Sequence, residues 1–138
     1  MYLLDSNIPL ELFLEQARAN EVEEFFRVIP TKNFSVTEFS LYSICLTLVY
    51  RKRTNAVQNF LKDILKQDGI SLIRLSVSEL EKVFENVTRF NLDFDDAYQY
   101  TAAEKYDLHI VSFDTDFDTT PRGRMTPQQV LKTITKQT

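Results

Sequence analysis

Short apolar segments alternate with helical segments along the whole chain, and this order restricts the possible folds more than any other feature. Apolar runs bounded by turn residues predict strands, and apolar residues at helical spacing predict the helices between them. Strands joined through helices run in the same direction, so the sheet is mostly parallel. We therefore predict an α/β fold with three α/β/α layers, whose strands lie at residues 2–4, 33–36, 70–75 and 108–113.

The chain has the length of one domain. Its 138 residues contain no repeat and no linker, so a single domain is expected over residues 1–138. The most apolar run, residues 39–50, is shorter than the ~20 residues of a membrane span. This run predicts a buried helix or a subunit interface, and no membrane association is expected. An acid as early as Asp5 and a single cysteine favour a cytoplasmic protein without a signal peptide or a disulfide.

The scarcity of glycine, cysteine and histidine excludes several kinds of chemistry. Two distant glycines cannot form the glycine-rich loops that bind nucleotide phosphates. One cysteine excludes a zinc site with several thiolates, and one histidine excludes a pair of imidazoles acting as acid and base. Any catalysis must therefore use carboxylates, hydroxyls, lysine or arginine.

Acidic residues follow three of the predicted strands. Sites in parallel α/β folds form at the carboxyl ends of the strands, and clustered carboxylates repel one another unless a cation lies among them. Oxygen ligands alone favour Mg²⁺ or Mn²⁺. Ordinary roles remain open, because Asp5 could cap a helix and Asp93 with Asp96 could form a capping pair. The acids in question are Asp5, Glu38, Asp114 and Asp116 after strands, and Asp95 and Asp96 at the start of a helix.

The net charge of −4 is unusual for a protein that binds nucleic acid, because such proteins usually present a basic surface. If four of the 20 acids formed a metal site, however, the other 16 would balance the 16 basic residues. A neutral body with a metal-filled acidic site could then hold a phosphate backbone. Each candidate phosphate contact could equally be an ordinary solvated surface residue. The candidates are Arg51, Lys52, Arg53, Arg122 and Arg124.

Four segments of the sequence resemble successive motifs of PIN domains, in particular the small stand-alone proteins similar to VapC-type toxins. The segments are YLLDSN near the start, SVTEFS about thirty residues later, FDDAYQYTAAEKYDLHIVSFDTDFD, and MTPQQVLK near the end. The third is the most specific, because it combines an acid–alanine step, a helix, an apolar strand and a Ser-Phe-Asp-x-Asp-Phe sequence. The resemblance spans most of the chain.

The resemblance implies a Mg²⁺- or Mn²⁺-dependent ribonuclease that cleaves RNA with a metal-activated water, often a toxin inhibited by a small antitoxin protein. It implies a catalytic set of Asp5, Glu38, Asp96 and Asp114, in which the three aspartates bind the metal. Asp96 is preferred to its neighbour Asp95 because it directly precedes Ala97, as in the family pattern. The residues expected to orient ligands and waters are Asn7, Asp95, Ser112 and Asp116.

Two further expectations concern partners and alternatives. The run at residues 39–50 is apolar on more than one helix face, which predicts a homodimer in addition to an antitoxin partner. A non-catalytic PIN-like module that binds RNA or protein is the main alternative. An aspartyl-phosphate enzyme or receiver domain fits less well, because Asp5-Ser6-Asn7 lacks the DxD pattern and Glu38 would have no role.

Overall fold

Four parallel strands form the central sheet of the computed structural model, which describes residues 1–136 of the chain. The last two residues of the predicted 1–138 domain lie outside the described part. The sheet order is β3-β2-β1-β4, and every pairing is parallel. The strands are β1 (Tyr2–Leu4), β2 (Phe34–Thr37), β3 (Ser71–Ile73) and β4 (His109–Val111).

The helices connect these strands in the order that the sequence pattern predicts, although several bounds differ, and the expected strand over residues 108–113 is reduced to β4. The helix expected over residues 54–67 is divided into a 3-10 turn (Thr54–Val57) and a shorter α-helix, and the expected strand over residues 70–75 is reduced to β3. β3 is an edge strand that pairs only with β2, so little hydrogen bonding extends it. The α-helices are α1 (Asn7–Phe13), α2 (Ala19–Val28), α3 (Glu38–Tyr50), α4 (Gln58–Leu65), α5 (Leu80–Phe90), α6 (Phe94–Tyr106) and α7 (Pro127–Lys136).

Alternating side chains of the strands build a core on each face of the sheet. Leu3 and Ile110, which are paired in the register of β1 and β4, pack with apolar residues of α5 and α6. Leu4 and Val111, the next pair, pack with residues of α1, α2, α4 and α7. Because successive strand residues point to opposite faces, the sheet is covered by helices on both sides. The predicted three-layer α/β/α fold is confirmed.

The register brings the carboxyl ends of the strands to one edge of the sheet. Leu4 of β1 pairs with Val111 of β4, and Thr37 of β2 pairs with Ile73 of β3. The residue that follows each strand therefore lies at this edge, which is where the sequence places its acids. Among the described residues, no helix has the length and apolar character that crossing a membrane requires.

Candidate active site

Asp5 lies buried at the end of β1 and is held by three hydrogen bonds. Its Oδ1 accepts from the backbone N–H of Ser6 at 2.9 Å, and its Oδ2 accepts from Ser112 Oγ at 2.7 Å and from Asn7 Nδ2 at 3.3 Å. Burial raises the pKa of Asp5 to about 6, although the bonds from Ser112 and Ser6 oppose this rise. Ser6, and not Asp5, is the residue that precedes α1, so this aspartate does not occupy the cap position.

Asn7 and Ser112 connect Asp5 to the loop after β4. Asn7 Nδ2 donates to Ser112 Oγ at 3.1 Å, and Asn7 Oδ1 accepts from the Phe113 N–H at 3.2 Å. The hydroxyl of Ser112 also accepts from the Asp114 N–H at 2.9 Å. The two side chains thus hold the start of this loop against the end of β1.

The carboxylates of Asp96, Asp114 and Asp116 lie together at this edge. Each residue offers one oxygen, and these oxygens are all within 4.8 Å of one another. Asp114 Oδ1 accepts from the Asp116 N–H at 2.9 Å, in the 3-10 turn that follows β4, and this bond folds Asp116 back beside Asp114. The structure therefore brings Asp116 into one acidic group with Asp96 and Asp114, whereas Asp5 lies beside that group and is hydrogen-bonded to Ser112.

The charges of this group disfavour its fully ionised form. Burial and then repulsion from Asp114, Asp95 and Asp5 raise the pKa of Asp96 to about 8. Repulsion from Asp114 is the main cause that raises the pKa of Asp116. Such a cluster gains stability from protonation or from a cation.

A divalent ion fits the donor set. Every candidate ligand is a carboxylate oxygen, which Mg²⁺ and Mn²⁺ prefer to softer donors. Opposite ligands of a Mg²⁺ ion are about 4.2 Å apart, twice the metal–oxygen distance, and the three oxygens of the acidic group lie within 4.8 Å of one another, which is a compatible separation. Asp96, Asp114 and Asp116 could hold such an ion.

Asp95 belongs to a second and more exposed acidic group. Its carboxylate lies within 4.8 Å of those of Asp93 and Asp96, and both Asp93 and Asp95 are exposed whereas Asp96 is buried. Asp93 precedes α6, but its side chain makes no cap hydrogen bond with the described residues. Capping therefore does not account for Asp93 and Asp96. Asp96 is the member that both groups share.

Glu38 is the first residue of α3 and, among the described residues, is a member of neither acidic group. Its Oε1 accepts from the Tyr42 hydroxyl at 2.7 Å, and its Oε2 is 4.0 Å from Arg74 Nε. Arg74 follows β3 and is 74% exposed in its side chain. Sequence reasoning missed Arg74, because the third strand was predicted over residues 70–75 and so contained it, whereas the observed β3 ends at Ile73.

The basic residues predicted as phosphate contacts differ in their surroundings. Arg122 donates to Asp107 Oδ1 and to the Leu108 carbonyl, whereas Arg124 pairs with Asp118 and donates to the Ser112 carbonyl. The guanidinium groups of both arginines are therefore already engaged by the protein.

The other basic cluster is exposed and remote from the acids of the sheet edge. Residues 51–53 follow the last residue of α3, a 13-residue helix that spans about 20 Å from Glu38. Within this cluster, Arg53 forms an exposed ion pair with Glu15 at 3.6 Å.

Comparison with known proteins identifies the fold. The model of the PIN domain family matches residues 2–123. A toxin–antitoxin complex from Klebsiella pneumoniae superposes with a TM-score of 0.73 at 19% identity, covering 92% of this chain and 98% of that one. VapC20 from Mycobacterium tuberculosis, a toxin that cleaves the sarcin–ricin loop, gives 0.74 at 17% identity, covering 88% and 95%.

A third similar structure is VapBC2 from Rickettsia felis, bound to a DNA fragment from its promoter. Its TM-score is 0.68 at 15% identity, and the match covers 90% of this chain and 96% of that one. No curated protein sequence matches the chain. At these identities the superpositions show a shared fold, and the family model extends over most of the sequence. The chain belongs to the PIN domain family.

Proposed function

We propose that this protein is a Mg²⁺- or Mn²⁺-dependent endoribonuclease. The observation that carries the proposal is the convergence of Asp96, Asp114 and Asp116 at the carboxyl edge of the sheet, beside the buried Asp5. A chain with one histidine cannot use a paired-imidazole mechanism for RNA cleavage. An acidic site that attracts a cation offers another route to phosphodiester hydrolysis.

The bound ion would supply a nucleophilic water and neutralise charge on the phosphate. Asp96, Asp114 and Asp116 would hold it, and the expected products carry 5′-phosphate and 3′-hydroxyl ends. Asp5 is fixed by Ser112 and Asn7, so its carboxylate would bind the ion directly or hold one of its waters without reorganising. Glu38 would hold a further water beside the scissile phosphate.

Cations of the chain would bind the rest of the RNA backbone. Arg74 is exposed and only loosely paired with Glu38, so it can contact a phosphate at the edge of the site. The exposed cluster at residues 51–53 would contact more distant phosphates. Because the guanidinium groups of Arg122 and Arg124 are engaged with carboxylates and carbonyls, we assign both a smaller share of this binding.

A cleavage assay on single-stranded RNA tests the catalytic proposal. Wild-type protein is expected to cleave with Mn²⁺ and to lose activity in EDTA, and Asp96→Asn is expected to abolish cleavage. Asp63→Asn is the matched control, because it removes one carboxylate of α4 that pairs with Lys66 outside the site. Cleavage that persists in EDTA, or that Asp96→Asn leaves intact, would contradict the proposal. An inert but RNA-binding wild type would favour the alternative of a non-catalytic module.

We further propose that the protein is the toxin of a toxin–antitoxin pair and acts on cytoplasmic RNA. Its structural similarity to a toxin–antitoxin complex and to VapBC2 supports a small antitoxin as its partner. Purification of the untagged protein from its source cells tests this, since a small protein should accompany it in stoichiometric amount.

A homodimer is proposed through the exposed side of α3. We call Tyr42, Leu46, Val49 and Tyr50, whose exposures range from 61% to 84%, the α3 stripe. Phe39 extends the stripe, and the centroid of its ring lies 6.0 Å from the centroid of the Phe94 ring. A single surface helix of a monomer rarely exposes so much apolar area. In a two-fold dimer the same stripe on both copies would be covered.

A further inference from the structure

One buried amide connects three of the elements that carry candidate catalytic acids. Gln99 of α6 is 2% exposed. Its Nε2 donates to the Leu4 carbonyl at 3.5 Å, and its Oε1 accepts from Thr37 Oγ1 at 2.7 Å. Leu4 directly precedes Asp5, and Thr37 directly precedes Glu38. Gln99 therefore touches the last residues of β1 and β2 at the points where their acids begin.

The same amide also lies close to the acid of its own helix. Gln99 follows Asp96 by three residues, and side chains at this spacing lie on one side of an α-helix. Its contacts with β1 and β2 therefore set both the rotation of α6 about its axis and its position along the sheet. The side of α6 that carries Asp96 is thereby fixed against the sheet edge.

Burying an amide is costly unless both of its polar groups find hydrogen-bond partners. Here the oxygen and the nitrogen of Gln99 each have one partner. Thr37 is used twice, since its hydroxyl also accepts from the Ser40 N–H at 2.9 Å and so caps α3. An apolar residue at position 99 would leave this hydroxyl without its acceptor.

Repulsion between the carboxylates of the acidic site is the reason that the hydrogen bonds of Gln99 matter for the position of Asp96. One oxygen each of Asp114 and Asp116 lies within 4.8 Å of an oxygen of Asp96, and the repulsion between these carboxylates favours movement of the start of α6 away from the strand ends. Metal sites lose affinity when their ligands are displaced by more than about 0.5 Å. Hydrogen bonds from α6 to both strand ends oppose that movement.

We propose that Gln99 is a positioning residue that holds Asp96 in register with Asp5 and Glu38, and the proposal rests on the metal-dependent function above. Gln99→Met removes both hydrogen bonds at nearly constant length. The Kd for Mn²⁺, measured by titration calorimetry, is expected to rise roughly ten-fold, as for other residues that orient metal ligands. For RNA cleavage, kcat is expected to fall while KM stays close to the wild-type value.

Thr101→Val is the matched control, because Thr101 is a buried residue of the same helix and bonds to Asn86 and to the Ala97 carbonyl. This variant should lower the melting temperature but leave the Kd for Mn²⁺ unchanged. If Thr101→Val weakens Mn²⁺ binding as much as Gln99→Met does, or if folded Gln99→Met binds Mn²⁺ as the wild type does, the proposal is wrong.

A second pair of variants serves if Gln99→Met does not fold. Thr37→Ser keeps the hydroxyl and should bind Mn²⁺ like the wild type, whereas Thr37→Val should bind it more weakly. Equal affinities in the two would overturn the role of the Thr37–Gln99 bond. A wild-type protein that binds no Mn²⁺ would instead refute the proposed function itself, and the positioning role with it.

Discussion

Replacing Asp96 with asparagine should stabilise the metal-free protein while removing its response to metal. The oxygens of Asp96, Asp114 and Asp116 are within 4.8 Å of one another. At that distance two unit charges repel by about 1 kcal/mol in water and about 3.5 kcal/mol at an effective dielectric of 20. Neutralising Asp96 therefore relieves at least ~1 kcal/mol, because burial already opposes its charge.

This energy converts into a measurable shift in melting temperature. A domain of 138 residues unfolds with an entropy of about 0.3 kcal/mol/K, so each 1 kcal/mol moves the Tm by about 3 °C. In EDTA at pH 8, Asp96→Asn should melt about 3 °C or more above the wild type. With Mn²⁺ at about 100 times its Kd, the wild type should gain about 2.7 kcal/mol, or roughly 9 °C.

Circular dichroism can measure the four melting temperatures that test this prediction. These are the Tm values of the wild type and of Asp96→Asn, each in EDTA and in Mn²⁺. Asp95→Asn is a close control, since Asp95 is an exposed neighbour outside the group formed with Asp114 and Asp116, and it should keep most of the Mn²⁺ response. If wild type and Asp96→Asn gain equally from Mn²⁺, Asp96 is not a ligand. A lower Tm for Asp96→Asn in EDTA would refute the repulsion argument.

Three further predictions follow from other parts of the structure. Burial raises the pKa of Asp5 from 3.8 to about 6, so the folded protein binds an extra proton between these values. Unfolding by urea in EDTA should therefore show about 2.4 kcal/mol more stability at pH 4 than at pH 7 from this group, and Asp5→Asn should lose that component. Leu46→Arg should convert the dimer to a monomer by light scattering, whereas Leu65→Arg, at an exposed leucine of α4, should not; a wild-type monomer at micromolar concentration would contradict the dimer. Arg74→Ala should raise the KM for RNA several-fold with little change in kcat, and an unchanged KM would exclude Arg74 as a phosphate contact.

The order of strands and helices was accessible from the sequence because it depends on local patterns. The alternation at Leu3 and Leu4 already divides their side chains between two faces, and the structure places them in the two separate cores. The strand-end rule likewise located the edge at which Asp5 and Asp114 lie. The short length of β3 was harder to predict from the sequence. It depends on the position of β3 as an outer strand with one neighbour in the sheet.

Which carboxylates meet within that edge was decided by the tertiary structure. Asp5 turns its Oδ2 toward Ser112, 107 residues away in the chain, while the 3-10 turn after β4 brings Asp116 beside Asp114. Two other contacts also join elements that are distant in the chain or irregular in structure. Arg124 pairs with Asp118, and Gln99 accepts a hydrogen bond from Thr37.

The sequence by itself therefore determined the fold, the edge of the sheet and the kinds of residue that gather there. Only the tertiary structure decided which of those side chains approach within ligand distance. The physical reason is that periodicity assigns each residue of a strand or helix to a face, whereas a loop residue such as Asp116 has no such period. Its direction depends on hydrogen bonds that form only once the strands have been assembled.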